Sequence, residues 1–332
     1  MRENTSTNVR LSDIAAELGI TVNTVSKAIR GKGGVSERCR KQVLAVADRM
    51  GYVPNRVATS LRYGQSKMIA VIFDNLMNPY FMIMTELLFS RLRALDYDVM
   101  IFAGIYDQIK PNDLSNILSR KVDGIITFIE PSEKVLEILE RNRIRIVLLG
   151  RENPQLNVDS VSTDDFMGGY RVGEYLLSKG AKNIGYLGSP KQVECARRRL
   201  EGLQKCLSDH GQTFCDANAQ FMDRKEMNEQ AMRLLQNRVD AVFCFNDIMA
   251  LEFISIVRQN GLRVPEDVRV VGYDDIQEDF PLAVNLTTVS SDKQKCVDSA
   301  VELLLQKING EREAESCTRL NFHVHVRSGE TA

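Results

Sequence analysis

Residues 11–29 read LSDIAAELGITVNTVSKAI, and the punctuation of this stretch decides how the start of the chain folds. Leu11, Ile14, Ala15 and Leu18 recur at the spacing of one helix face. With Ser12 as N-cap and Gly19 as stop, residues 12–18 are expected to form a short amphipathic helix. Thr21 can cap a second helix with Val25, Ala28 and Ile29 on its inner face, ended by Gly31, Gly33 and Gly34. Val35-Ser36 opens a third, whose apolar positions Val43, Leu44, Ala47 and Met50 run to Gly51. Three short helices around a tight turn predict a helix-turn-helix. Its second helix would turn Val22, Asn23, Ser26, Lys27 and Arg30 outward, small or polar side chains that can reach base edges in a major groove. A three-helix bundle with a merely solvated second helix carries the same pattern.

Charge sets this head apart from the rest. The 332 residues are nearly balanced at a net charge of -1, yet residues 1–66 hold eleven Lys/Arg against five Asp/Glu. A basic head on an acidic body predicts that the head meets a polyanion. The head is followed by GYVPNRVATSLR at 51–62. Pro54 forces Val53 out of the helical region, and about seven helix-compatible residues then run toward Tyr63-Gly64. A helix so short is marginal alone in water and is expected to order only on a partner or in a DNA groove.

From Met68 onward, apolar runs alternate with helical patterns: MIAVIFDN from 68, VMIFAG from 99, GIITFI from 124, RIVLLG from 145, NIGYLGS from 183, AVFCFND from 241 and VRVVGYDD from 268. Parallel strands buried on both faces read this way. The expected architecture is an all-α helix-turn-helix head plus an α/β body of two doubly wound parallel-sheet subdomains. Ligands of such folds sit at the carboxyl ends of the strands. The polar residues there are Asp74-Asn75, Asn78 to Phe81, Gly150-Arg151, Ser189-Pro190, Asn246-Asp247 and Asp274-Asp275. Each could equally be a strand-end cap or a turn-former. A guanidinium, a carboxylate and an amide in one cleft suit a polyol or a small anionic ring compound. With no Trp in the chain, an aromatic platform falls to Tyr80, Phe81 or Phe221.

Other classes find little support. The seven cysteines are odd in number and contain no C-x-x-C pair, as expected of a reducing compartment, the cytoplasm by default. The N-terminus has no apolar signal region, and no run approaches the roughly 18 apolar residues of a membrane span. No G-x-x-x-x-G-K-[ST], G-x-S-x-G or H-E-x-x-H occurs, so neither an enzyme nor a cofactor is expected. His323 and His325 alternate on an expected last strand, two ligands without a third and thus a weak zinc signal. Arg197-Arg198-Arg199 could hold phosphate, though such runs are mostly solvated helix faces.

From Val9 to Phe81 the chain resembles the LacI/GalR family of bacterial transcription regulators, through LSDIAAELGITVNTVSKAI, GVS and GYVPNRVATSL, and the similarity extends to about Asn321. The resemblance implies that the second helix reads a major groove. It also implies that the segment bearing Asn55, Arg56, Ala58 and Leu61 enters the minor groove, where Leu61 would wedge between base steps. Asn78-Pro79-Tyr80-Phe81 matches the family's N-P-x-F, whose aromatic lines the effector pocket. Arg199 falls on the ligand-gripping arginine of R-x-x-G, while Asn246 and Asp274 inherit ligand hydrogen bonding from N-D and Y-D-D. Two positions depart: Cys39 stands where the family usually has Thr, and Gly150-Arg151 where it usually reads D-R, which removes a carboxylate that often meets a sugar hydroxyl. Arg151 remains an effector-site candidate. Arg199 and Asp274 are expected to face the ligand from opposite halves of the cleft.

The domains are then a head at 1–50, a hinge at 51–66 and an effector-binding, dimerising body at 67–330. The expected function is a repressor on a pseudo-palindromic double-stranded DNA operator, controlled by a small-molecule effector, a sugar or sugar derivative. No leucine heptads follow His325, so a homodimer is expected over a tetramer. The competing readings are a cytoplasmic carbohydrate-binding protein and an α/β hydrolase acting on a sugar or nucleoside. The hinge counts against the first, and the lack of any clustered acid, base or nucleophile against the second. Sequence alone leaves sugars, sugar acids, sugar phosphates and nucleobases open.

Overall fold

Gly19 turns the chain at φ 63, and Ile20 donates back to the Ala15 carbonyl at 3.1 Å, which ends helix α1 (Leu11–Leu18). Thr21 then caps α2 (Val22–Ile29) by accepting from Thr24 N at 3.1 Å, and Ser36 caps α3 (Glu37–Met50). Ser12 is not a cap. It lies within α1, whose start is fixed by the Asp13 carboxylate accepting from Arg10 N at 2.8 Å. Ile14, Ala15, Val25, Ala28, Val43 and Ala47 close a small core between the three helices. The computed structural model describes residues 9–31, 33–53, 65–74, 77–104, 108–189, 193–221, 224–313 and 316–332. The chain divides into two compact units, Met1–Ser66 and Lys67–Ala332.

The second unit holds two six-stranded sheets. The first contains β1 (Met68–Ile72), β2 (Asp98–Phe102), β4 (Gly124–Thr127), β6 (Arg145–Leu149), β7 (Asp159–Thr163) and β13 (Arg319–Phe322), in the order β13-β7-β6-β4-β1-β2, all parallel. The short pair β3 (Gln108–Ile109) and β5 (Glu130–Pro131) stands beside it. The second sheet contains β8 (Ile184–Gly188), β9 (Ala219–Phe221), β10 (Ala241–Cys244), β11 (Arg269–Tyr273), β12 (Thr287–Ser291) and β14 (Val324–Arg327). Its order is β14-β12-β11-β10-β8-β9, with only β14 antiparallel.

Both faces of each sheet are covered, which is why the central strands read as unbroken apolar runs. On the first, α4 (Pro79–Ala94) and α11 (Lys293–Ile308) cover one face, and α5 (Pro111–Leu118) and α6 (Glu133–Arg141) the other. On the second, α7 (Asp165–Ser178) and α8 (Glu194–Asp209) lie opposite α9 (Met227–Gln236) and α10 (Asp247–Gln259). Among the described residues no helix is long and apolar enough to cross a membrane.

The chain passes between the halves three times, each time through a single residue: Asp164 between β7 and α7, Asp292 between β12 and α11, and His323 between β13 and β14. Two of these residues cap the helix that follows, Asp164 accepting from Met167 N and Asp292 from Lys295 N. Asp164 N also donates to the Phe322 carbonyl at 3.0 Å, tying two crossings together. His323 and His325 therefore do not share a strand face; the first is a crossing residue and the second belongs to β14.

Candidate functional site

The carboxyl ends of the strands of both sheets open onto one cleft of about 570 Å³. Asn78, Tyr80, Phe81, Arg151, Arg199, Asn246 and Asp274 all line it, so the fold brings the seven body candidates together. Asn78 caps α4, its Oδ1 accepting from Tyr80 N at 3.0 Å with Pro79 in the first turn. Across the cleft its side chain faces Asp274 of the other half. Phe81 stacks on Phe73 at 5.6 Å and meets Phe128 edge-on at 5.3 Å, while Tyr80 meets Phe128 at 6.5 Å. Phe128 was not evident as a site residue; it follows β4 directly, and the strand-end rule that selected Asp74 would have found it. Phe221 is no platform, because it packs on Tyr186 at 5.7 Å in the second half's core and does not line the cleft.

Arg199 is held more tightly than the motif suggested. It is only 7% exposed, Nε donates to Asp165 at 2.8 Å, and Nη1 donates to the Phe245 carbonyl at 2.5 Å. Its guanidinium lies 3.4 Å from the Tyr273 ring centroid and 4.6 Å from that of Phe245. The pairing depends on α7 and α8 touching backbone to backbone. A Cβ on Gly169 would sit 1.8 Å from the Arg199 carbonyl oxygen, and one on Gly202 1.9 Å from that of Phe166. Asp165 was missed in the sequence; its only signal is the Asp164-Asp165 doublet after a strand rich in hydroxyls.

The expectation that Arg199 and Asp274 face a ligand from opposite halves is wrong. Arg199 lies on α8 and Asp274 just past β11, and both elements build the second half. The first half's contribution is Asn78, the aromatic group and Arg151. Asp274 stands at φ 102, a conformation costly for a residue with a side chain. Burial pushes its carboxyl up to about 7; Arg199, Lys293 and the Asn78 amide oppose the rise, and Asp165 adds to it.

Neighbouring acids serve the fold. Asp247 is fully buried, accepts from Thr288 Oγ1 at 2.5 Å and Ile276 N at 2.9 Å, and is driven well above the usual carboxylate range by burial. Asp275 pairs with Arg327 at 2.9 Å. Asn246 caps α10 through Met249 N, with the cleft on its other side. Cys195 also lines the cleft, but burial holds its thiol up to about 11 and thus unreactive. Among the described residues no group of three or more His, Cys, Asp or Glu could hold a metal ion.

On the head, Val22 is 47% exposed and Asn23 is exposed, whereas Ser26, Lys27 and Arg30 are half-buried. Arg30 turns back on Ser26, Nε donating to its carbonyl at 2.9 Å and Nη2 to its hydroxyl at 2.5 Å. The Cys39 side chain packs against the head's core. Asn55, Arg56, Ala58 and Leu61 lie outside the described residues, as do Asn75 and Pro190.

Comparison with known proteins agrees with this layout. Residues 10–55 match the family described as bacterial regulatory proteins, lacI family, and residues 174–329 match a periplasmic binding protein-like domain. The HTH-type transcriptional regulator DegA of Bacillus subtilis is 29% identical over 84% of this chain and 85% of its own. The HTH-type transcriptional repressor PurR of Photobacterium profundum is 28% identical over 96% and 97%. Among solved structures, a Lac repressor dimer bound to operator and the anti-inducer ONPF superposes with a TM-score of 0.81 at 26% identity, covering 98% of this chain and 99% of that one. A CelR–cellobiose complex shares the fold with a TM-score of 0.71 at 24% identity, covering 98% and 100%. These relatives are transcriptional regulators and not enzymes. The head therefore belongs to the lacI family of bacterial regulatory proteins, and the body carries a periplasmic binding protein-like domain.

Proposed function

We propose that this protein is a cytoplasmic, homodimeric repressor whose hold on a pseudo-palindromic double-stranded operator is set by a small effector, a carbohydrate or carbohydrate derivative, bound in the cleft. The observation that carries the reading is a single cleft lined from both halves, by Asn78, Tyr80, Phe81 and Arg151 of the first and Arg199, Asn246 and Asp274 of the second. A ligand that touches both walls binds two half-body arrangements with different affinity, which is what coupling two sites requires. The head (1–50) would present Val22, Asn23, Ser26, Lys27 and Arg30 to the major groove. The hinge (51–66) would present Asn55, Arg56, Ala58 and Leu61 to the minor groove, and the body (67–330) would bind effector and partner subunit. Likeness to a repressor dimer on its operator and to a cellobiose complex supports dimerisation and a carbohydrate ligand. The test is a gel shift of the full-length protein on genomic fragments, with and without a metabolite panel. Retention of specific fragments, released by some panel members, is expected; failure to select any fragment would overturn the reading.

A further inference from the structure

The outward start of α2 is uncharged. Its first two residues, Val22 at 47% exposed and Asn23, stand out beside Thr21, whose hydroxyl caps the helix. The two cations toward its other end are held against the head. Arg30 is the C-cap residue, about 12 Å along the axis from Val22. Its Nε donates to the Ser26 carbonyl at 2.9 Å and its Nη2 to the Ser26 hydroxyl at 2.5 Å. Lys27 is half-buried and leans toward the glycine loop, its Nζ 3.9 Å from where a Cβ of Gly34 would stand. Exposed cations stand instead on α3, at Arg38 and Lys41, and cations of that kind meet phosphates, contacts that position a head without reading sequence.

We propose that α2 selects A·T base pairs: Asn23 pairs with an adenine through its N6 and N7, and Val22 packs on the C5-methyl of a neighbouring thymine. This rests on the placement of α2 in the major groove given above. The N-terminal residues of a recognition helix are the ones that meet base edges. An amide there offers one donor and one acceptor side by side, the complement of adenine, whereas guanine shows two acceptors and leaves the amide oxygen without a donor. An isopropyl group gains from burial against a methyl, which in the major groove only thymine shows. Against any other base it strips water from a polar edge and returns no hydrogen bond. Lys27 and Arg30 then set the pose and the overall affinity, and the base choice at these two pairs belongs to uncharged side chains.

The test is binding-site selection from a randomised duplex pool by the full-length protein, followed by affinity measurements on the selected duplex with single altered bases. The half-site should contain an adenine whose selection is lost in Asn23→Ala and a thymine whose selection is lost in Val22→Ala. Replacing that adenine by 7-deazaadenine, which has C–H in place of the N7 acceptor, should weaken the parent by at least about fivefold. Replacing that thymine by uracil, which lacks only the methyl, should weaken it by about threefold. The first loss should vanish in Asn23→Ala and the second in Val22→Ala, while Lys27→Met and Arg30→Met should bind more weakly yet select the same two pairs. A G·C pair selected at the positions that respond to Val22 and Asn23, or a base choice there that follows Lys27 or Arg30, would overturn the A·T assignment and keep α2 in the groove. Selection indifferent to all four residues would remove α2 from the groove, and a protein that selects no duplex fails the operator reading as well.

Discussion

Asp274 should make the protein less stable as the pH rises, and Asp274→Asn should remove that dependence. An aspartate titrates near 3.8 when solvated, whereas burial holds this carboxyl at about 7. Between those values the folded state keeps a proton that the unfolded chain has released. Stability therefore falls as pH rises from 3.8, and the loss is complete above 7. At about 1.4 kcal/mol per pH unit this amounts to about 4 kcal/mol, a large part of the roughly 5–15 kcal/mol that holds a typical domain folded. The groups facing the carboxyl are Arg199, Lys293, Asp165 and Asn78, with Asp247 behind, so replacing it by the similarly shaped amide leaves the arginine pair intact. Asparagine also tolerates positive φ better than most residues. Urea unfolding of parent and variant, followed by far-ultraviolet circular dichroism at about pH 5 and about pH 8, should show the variant gaining about 3 kcal/mol on the parent between the two. A stability difference that stayed constant between them would refute the reasoning, because burial would then not be holding the proton.

Asn23→Ala, on the exposed start of α2, should alter the preferred operator at about 1–3 kcal/mol per lost contact, read by binding-site selection; an unchanged selected sequence would place that helix outside the groove. Arg199→Lys keeps the charge but cannot hold Asp165 and the Phe245 carbonyl together, so it should weaken effector binding by at least about tenfold and lower body stability by about 2 kcal/mol, with calorimetry and denaturation as the readouts. Gly202→Ala drives a methyl against the Phe166 carbonyl oxygen and should destabilise the body by about 3 kcal/mol or more, whereas Gly211→Ala, with nothing within 4 Å, should cost only its left-handed backbone. Lys307→Met leaves Asp159, 0% exposed, with Arg312 at 3.7 Å in place of an ammonium at 2.7 Å, and should lower stability by about 3 kcal/mol in the same assay.

The head was legible because its stops are local: Gly19, Thr21 and Ser36 act within a few residues of where they stand. Ser12 misled because Asp13 competes for the same job one position on. In the body the aliphatic strands stood out, but β7 and β12 did not. Apart from Val161 and Val289, their buried residues are Asp159, Ser160, Ser162, Thr287, Thr288 and Ser290, polar side chains that no hydrophobic pattern flags. Motif positions led to the cleft's rim, yet the Arg199–Asp165 pair spans 34 residues and exists only because glycines let two helices meet. Which half carries Arg199 was likewise hidden, since chain order does not say which sheet a helix covers.

The three single-residue crossings also make the second half an insertion within the first, with a consequence for the order of synthesis. A nascent chain that has reached Asp292 holds every element of the second half except the edge strand β14. The first half, begun earlier, still lacks α11, whose Val297, Ala300, Val301 and Leu304 complete its core, and β13 at the edge of its sheet. Domains made first on the ribosome ordinarily fold first. Here the half begun first must wait with its apolar face open until the last part of the chain emerges, and premature termination near Asp292 costs the later-made half one edge strand while leaving the earlier one an aggregation hazard.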